Sequence, residues 1–411
     1  MSQKTPTIAT KEDAKPALVP VLRFPEFRDA EGWVLRQFGD FLTESRLSGS
    51  KGNVAKKITV KLWGKGVFEK NDAIQGSVNT QYFQRKAGQF IYSKLDFLNQ
   101  AFGVVPATLN NFESTVDLPC FDIAEGLNSV FLLEYVKRKD FYEKVGETAD
   151  GSRKARRIHA ETFLSFSVSL PSPPEQQKIA DCLTSLDELI AAQARKVDAL
   201  KTHKKGLMEQ LFPREGETQP RLRFPEFEGA GSWSIRNLSE IAENLDSRRV
   251  PITSGDREAG DIPYYGASGI VDYVKDFIFD ENLLCVSEDG ANLLARTYPI
   301  AFPISGKTWV NNHAHVLRFE HACTQKFVEI YLNSIKLDDF ITGMAQPKLN
   351  KAMLNSIPVP RPDIPEQQRI ADCLTALDDF ITAATQELET LKIHKKALMQ
   401  QLFPSAQADQ P

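Results

Sequence analysis

Residues 174–213 read PEQQKIADCLTSLDELIAAQARKVDALKTHKKGLMEQLFP, and residues 365–404 read PEQQRIADCLTALDDFITAATQELETLKIHKKALMQQLFP. The two segments have equal length and agree at 25 of 40 positions. Each starts as a helix starts, with Pro174 or Pro365 followed by a glutamate in the first turn. Each carries His-Lys-Lys toward its far end, where cations suit the helix dipole, and stops at Phe-Pro. In between, apolar residues step alternately by four and three: Ile179, Leu183, Leu186 and Ile190, matched by Ile370, Leu374, Leu377 and Ile381. That 3.5-residue period predicts two coiled-coil helices. Gln193 is polar where its counterpart Ala384 is not, and Lys204 and Lys395 share one seam position. A seam lysine either fixes register or snorkels outward. Leu189, Phe380, Met208 and Met399 add apolar surface beside the seam, for the globular blocks or for another protein.

A second duplication lies upstream. Residues 22–27 and 222–227 both read LRFPEF, followed by Trp33 and Trp233. The chain is therefore motif, variable block, helix, written twice. The expected division is a disordered lead-in over 1–21, a first block over 22–170 and a central helix over 171–214. A second block over 215–362, a distal helix over 363–404 and a tail over 405–411 complete it. With 411 residues and 42% hydrophobic content, each block has material for a core.

Within the blocks, β-branched and aromatic runs alternate with turn residues: GQFIYS (88–93), NLLCVS (282–287), YPIAFPIS (298–305) and KTWVNNHAHVLRF (307–319). These predict short strands in mixed α/β (α+β) blocks, with Pro303 limiting pairing around it. Carrying the 191-residue offset of the helices backwards sets Arg157-Ile158-His159 on Lys348-Leu349-Asn350, Phe163 on Leu354 and Val168 on Val359. A loop, a short helix or turn and an extended apolar run are thus expected before each long helix.

Five cysteines are scattered singly, without a CxxC pair, and read as small buried hydrophobes in a reducing cytoplasm. There is no apolar run of membrane-spanning length, and the first twenty residues contain no hydrophobic signal region. Net charge is −4. An isolated DNA-binding domain is usually basic, so this charge counts against simple high-affinity electrostatic binding and leaves room for a partner that supplies phosphate contacts. Residues 28–170 carry 20 Lys+Arg against 17 Asp+Glu, and residues 228–360 carry 12 against 17. The blocks differ in charge as well as sequence.

The loop GSRKARR (151–157) is a basic cluster suited to phosphates, although a merely solvated loop has the same composition. The stretch Ser305–His315, SGKTWVNNHAH, holds side chains that read base edges. His313 and His315 also fit a zinc pair, but no further ligand completes a set. Gly306-Lys307-Thr308 resembles the end of a phosphate-binding loop, yet position 301 is Ala where that loop needs Gly. Glu288-Asp289-Gly290 fits a turn better than acid–base catalysis. No nucleophile, base and oxyanion set assembles anywhere in the chain.

The doubled PEQQ-IADCLT-LD helix, its KKxLMxQLFP ending, the doubled LRFPEF and the runs YYGASGIVDYV (264–274) and SGKTWVNNHAH together resemble the DNA-specificity subunit of Type I restriction–modification systems. The resemblance covers nearly all of residues 22–404. It implies two target recognition domains joined by two long antiparallel coiled-coil helices. It implies that the blocks read two halves of a split, asymmetric duplex DNA target. Two modification subunits would methylate adenine with S-adenosylmethionine, and restriction subunits would cleave with ATP and Mg. No cofactor is expected in this chain. It contains no [DNS]PP[FYW] tetrapeptide, no glycine-rich cofactor loop and no Walker A motif, so a non-catalytic subunit is expected. The competing readings are a coiled-coil scaffold that binds only proteins and a self-contained DNA-modifying enzyme.

The expected DNA contacts are Arg153, Lys154, Arg156 and Arg157 in the first block, with Lys94 because Ser93-Lys94 and Ser287-Glu288 both follow a predicted strand. In the second block they are Lys307, Trp309, Asn311, Asn312 and His313, with Lys348 on phosphate.

Overall fold

Both 40-residue repeats fold as the spacing predicts. In the computed structural model the central helix is Pro173–Leu211 and the distal helix Ile364–Leu402, each 39 residues. At 1.5 Å per residue each is roughly 58 Å long. The structure describes residues 18–71, 76–146, 157–343 and 346–404. Residues up to 193 and from 387 form one compact unit, and residues 194–386 form another. Each long helix therefore begins in one unit and ends in the other.

In the first unit the helix segments run antiparallel: Asp187 meets Lys395 (2.7 Å) while Gln193 donates to Glu387 (2.8 Å). In the second unit Lys204 reaches Asp378, and Leu211 shares a core with Ile370 and Leu374. Asp187 and Asp378 are equivalent positions, as are Lys204 and Lys395. Each seam lysine thus reaches an aspartate of the other helix. The lone polar seam residue, Gln193, is buried and bonded across the seam. Leu189 and Phe380, also equivalent, are 57% and 64% exposed, whereas Met399 and Met208 pack on the cores of the first and second units.

LRFPEF is a clasp. In the first unit the Arg23 guanidinium grips Glu175 of the PEQQ motif through Nε (2.8 Å) and Nη2 (2.7 Å), with both side chains buried. The Leu22 N–H bonds the Gln401 carbonyl near the end of the distal helix. In the second unit Arg223 grips Glu366 (2.7 and 2.8 Å), and the Leu222 N–H bonds the Gln210 carbonyl. The duplicated motif ties the first turn of one helix to the last turn of the other. Bidentate guanidinium–carboxylate geometry needs Arg here rather than Lys. Trp33 packs against Phe131 and Phe403, and Trp233 against Phe327. The Trp33 backbone also pairs with Leu18, which lies ahead of the motif and inside the expected lead-in.

The blocks share a framework. Val34–Gln37 pairs antiparallel with Ser167–Leu170, and Ser234–Asn237 with Pro358–Arg361. Each unit has a four-stranded antiparallel sheet of one order. In the first unit this is Leu42–Glu44, Cys120–Ile123, Phe90–Tyr92 and Phe102–Val104; in the second it is Ala242–Asn244, Ala314–Phe319, Leu283–Ser287 and Ala301–Ile304. Pro303 lies on the edge strand, where its missing N–H costs no ladder bond. The additions differ. The first unit adds the hairpin Ile58–Lys61/Gly66–Glu69 and a three-stranded sheet. The second adds a four-stranded sheet in which Ala259–Gly266 pairs with Gly269–Val274 and, in parallel, with Lys307–Val310.

All five cysteines are free thiols; Cys120 and Cys285 are buried, while Cys182, Cys323 and Cys373 are half-buried rather than enclosed. Burial pushes the Cys120 thiol up to about 12. No helix among the described residues is long and apolar enough to cross a membrane.

Candidate nucleic-acid interface

The framework carries into the blocks as a matching hydrogen bond whose donors are 191 residues apart and whose acceptors are 194 apart. The Ile158 N–H bonds the Lys94 carbonyl (3.1 Å), and the Leu349 N–H bonds the Glu288 carbonyl (2.8 Å). A short helix follows each: Ala160–Leu164 after His159, and Lys351–Asn355 after Asn350, whose side chain caps the Met353 N–H. Arg157 and Lys348 therefore occupy one structural position, exposed and one residue before the shared bond. Lys94 lies beside Arg157 through that backbone pairing. Arg153, Lys154 and Arg156 lie outside the described residues.

In the second unit the structure brings together part of the expected set. The turn after strand Lys307–Val310 holds Asn311, Asn312 and His313. Lys348 Nζ lies 3.2 Å from Glu288 Oε1, and the Lys348 backbone bridges to Asp289. Asp289 Oδ2 is 2.7 Å from His313 Nδ1. Asn312, His313 and Lys348 thus share one exposed rim.

Three residues need correction. Asn311 is buried; its side-chain oxygen accepts from the His313 N–H (2.8 Å), so it shapes the turn rather than facing a ligand. Trp309 is half-buried, with Nε1 donating to the Val250 carbonyl (2.6 Å). Lys307 sits at the opposite end of the same strand, over the Phe277 ring at 4.8 Å, away from the rim. Strand geometry explains this: a stretch that looks continuous in sequence spans a strand and its turn, so its two ends serve different places.

Behind the rim is a cluster that no sequence spacing announced. His315 is fully buried, with Nδ1 2.6 Å from Asp246 Oδ2 and Nε2 donating to the Leu349 carbonyl at 2.7 Å. Arg249 donates through Nη1 to Glu288 (2.8 Å) and to the Ala314 carbonyl (2.7 Å), and its Nη2 lies 3.4 Å from Asp246. Burial pushes the Asp246 carboxyl up, but His315, the Val316 N–H and Arg249 outweigh it and hold the group below its usual value. Asp246, Glu288 and His315 offer ligand atoms within 4.8 Å of one another. The Arg249 guanidinium already supplies the positive charge these carboxylates need. His313 and His315 turn to different partners and do not form a zinc pair. Asp246 and His315 are 69 residues apart in sequence, so only the fold unites them.

Glu288 and Asp289 serve as ion-pair partners of Arg249, Lys348 and His313. Gly306, at φ +67°, makes the tight connection between strands Ala301–Ile304 and Lys307–Val310, not the strand-to-helix loop of a phosphate site. The hairpin turn between Tyr265 and Ile270 adds Ser268, whose hydroxyl lies 3.0 Å from that of Tyr298. Neither was marked by the sequence, because Ser and Tyr in turns carry no distinguishing pattern.

One framework occurring twice, with unlike side chains on its exposed loops, defines a duplicated recognition scaffold. A family model described as a type I restriction modification DNA specificity domain matches residues 231–392. A type I restriction enzyme specificity subunit of Haemophilus influenzae is 37% identical over 150 residues, 36% of this chain and 37% of that protein. The chain thus spans well under two thirds of that relative's length. The MjaVIII specificity subunit of Methanocaldococcus jannaschii is 22% identical over 414 residues, covering 92% of this chain and 93% of the relative. Among solved structures, the S subunit of the type I system of M. genitalium superposes with a TM-score of 0.58 at 15% identity, over 94% of this chain and 99% of that one. A chain from a structure of type I complex assembly and conformational transition gives 0.55 at 14%, over 91% and 98%. At these identities the structures speak for the fold. Residues 231–392 thus match the type I restriction modification DNA specificity domain, and the chain as a whole is similar to type I specificity subunits.

Proposed function

We propose that each unit reads one half of a split duplex DNA target, and that the paired helices set the spacing between the halves. The observation that carries this is the pair of equivalent bonds, Ile158 to Lys94 and Leu349 to Glu288, which presents different residues on one backbone frame. Arg157 and Lys348 take phosphates and fix register; Asn312 and His313 face base edges. Modification subunits join the chain and methylate adenine after flipping it from the duplex. Restriction subunits add cleavage. S-adenosylmethionine, ATP and Mg serve those partners, and this chain contributes recognition without catalysis. Free, partly buried cysteines suit a reducing cytoplasm.

The test is to co-express the chain with its modification subunit and map methyladenine across the host genome. A split motif that disappears when this chain is omitted supports the reading. Methylation that persists unchanged without it, from an active modification subunit, overturns the reading in favour of a protein-binding scaffold. Asn312→Ala should relax preference at one position, whereas Arg157→Ala should weaken binding to all sequences.

A further inference from the structure

The hairpin Ile58–Lys61/Gly66–Glu69 of the first unit carries a feature that the rims do not explain. Its base is anchored, with Ile58, Val60 and Val67 buried in a core with Ile91 and Val105. Its turn is exposed and holds Trp63 at φ +62°. A bulky side chain in the left-handed region is a strained arrangement that persists only where its surroundings enforce it. They do so here: the Trp63 N–H bonds the Asn99 carbonyl (2.7 Å) and the Gly64 N–H bonds the Gln100 carbonyl (2.8 Å). The Lys137 side chain lies against the Gly64 face of the turn, its Cε 3.0 Å from where a Cβ would sit. The indole itself stays mostly in solvent. Trp63 is 59% exposed, and among the described residues its side chain has no hydrogen bond or ring contact.

The charge around it is one-sided. Residues 51–70 contain six lysines and a single carboxylate, Glu69. Lys65, beside the indole, is exposed and has no carboxylate partner among the described residues. Lys61 stands over the Phe68 ring at 4.2 Å. An aromatic held out on a rigid turn between cations that have no carboxylate partner among the described residues complements a polyanion with apolar base faces.

We infer that Trp63 is an aromatic contact of the first unit with duplex DNA, its indole packing into a groove against a base step while Lys61 and Lys65 hold the flanking phosphates. This rests on the DNA-reading function proposed above.

The experiment uses the full chain co-expressed with its modification subunit, and a fluorescent duplex carrying the target found by methylation mapping. Trp63→Gly should weaken binding about tenfold, within the range for loss of one aromatic–base contact. The same variant should keep or raise Tm, because glycine adopts φ +62° without strain. A purely structural tryptophan would lower Tm instead. Trp63→Phe should restore most of the affinity. Lys65→Ala should reduce the salt dependence of binding by about one phosphate contact. In the isolated chain, intrinsic fluorescence should quench on adding the duplex and quench clearly less in Trp63→Phe, since Trp33 and Trp233 are buried and only the half-buried Trp309 remains to respond. If Trp63→Gly binds the target as the wild type does, the contact is wrong and the DNA-reading function stands. If that variant no longer co-purifies with the modification subunit, the turn is a protein contact and the proposal falls. If the wild-type complex binds no duplex selectively, the function itself fails and this contact with it.

Discussion

Behind the same loop, the two units use opposite chemistry. In the first, the Ile158 carbonyl accepts from the Tyr92 hydroxyl, and Tyr92 sits in an aromatic cluster with Phe90, Phe121 and Phe163 at centroid distances of 4.9–6.3 Å. In the second, the equivalent Leu349 carbonyl accepts from His315, which sits among Asp246, Arg249 and Glu288. One framework tolerates either a greasy or an ionic support because the sheet order and the shared backbone bond set the frame. The side chains behind it need only fill space and satisfy polar groups. Burial pushes the Tyr92 phenol up, so that support stays neutral. The second support is made of charges that hold one another.

The largest effect should come from deleting the centre of the aromatic cluster. Phe163→Ala should cost about 3–5 kcal/mol and Leu354→Ala, at the matching position, about 2–5 kcal/mol, each read as lost hydrogen-exchange protection within its own unit. Equal loss in both units from either substitution would break the description of two separate cores. Next, Asp246→Ala should cost about 3 kcal/mol by leaving the buried His315 Nδ1 and Val316 N–H without their partner, while Tyr92→Phe should cost about 1 kcal/mol, one hydrogen bond. A reversal of that order would mean the ionic cluster is solvated rather than supporting.

Acid should separate the units further. The Asp246 carboxyl lies below its ordinary value, so its contribution is complete above the unfolded value of about 3.9 and is lost as pH falls through the folded one. Exchange near residues 246, 288 and 315 should accelerate below about pH 4, and Asp246→Ala should abolish that acceleration. The smallest effects belong to the seam. Lys204→Met should change stability by at most about 1 kcal/mol, because its partner Asp378 is exposed. Lys395→Met should cost more, because it also removes a cation 3.1 Å from the buried Glu134 carboxylate. Matching losses would show that Glu134 relies on Lys137 alone.

The helices, their ends and the doubling of the blocks were legible in the chain, because periodicity and repetition are local or self-comparing signals. The offset even placed Arg157 on Lys348 and Phe163 on Leu354 before any coordinate. The rim of the second unit was half legible. Asn312, His313 and Lys348 meet, but Asn311 and Trp309 turned out to be spent on the turn and on the Val250 carbonyl. Nothing in a polar residue's identity tells whether its hydrogen bonds go inward or outward. Trp63 was unreadable for a related reason: an aromatic in a lysine-rich hairpin looks like core until its backbone angle and exposure are known.

By itself, then, the sequence determined the duplicated architecture, the antiparallel-capable seams and the resemblance to type I specificity subunits, since these follow from periods and motifs that need no distant partner. Tertiary structure alone decided that LRFPEF clasps PEQQ, that each seam lysine meets an aspartate of the other helix, and that Asp246, Arg249, Glu288 and His315 converge. Those contacts join residues tens to hundreds of positions apart. Their free energy exists only once the sheets and helices have brought the groups within hydrogen-bonding distance in a place water does not reach.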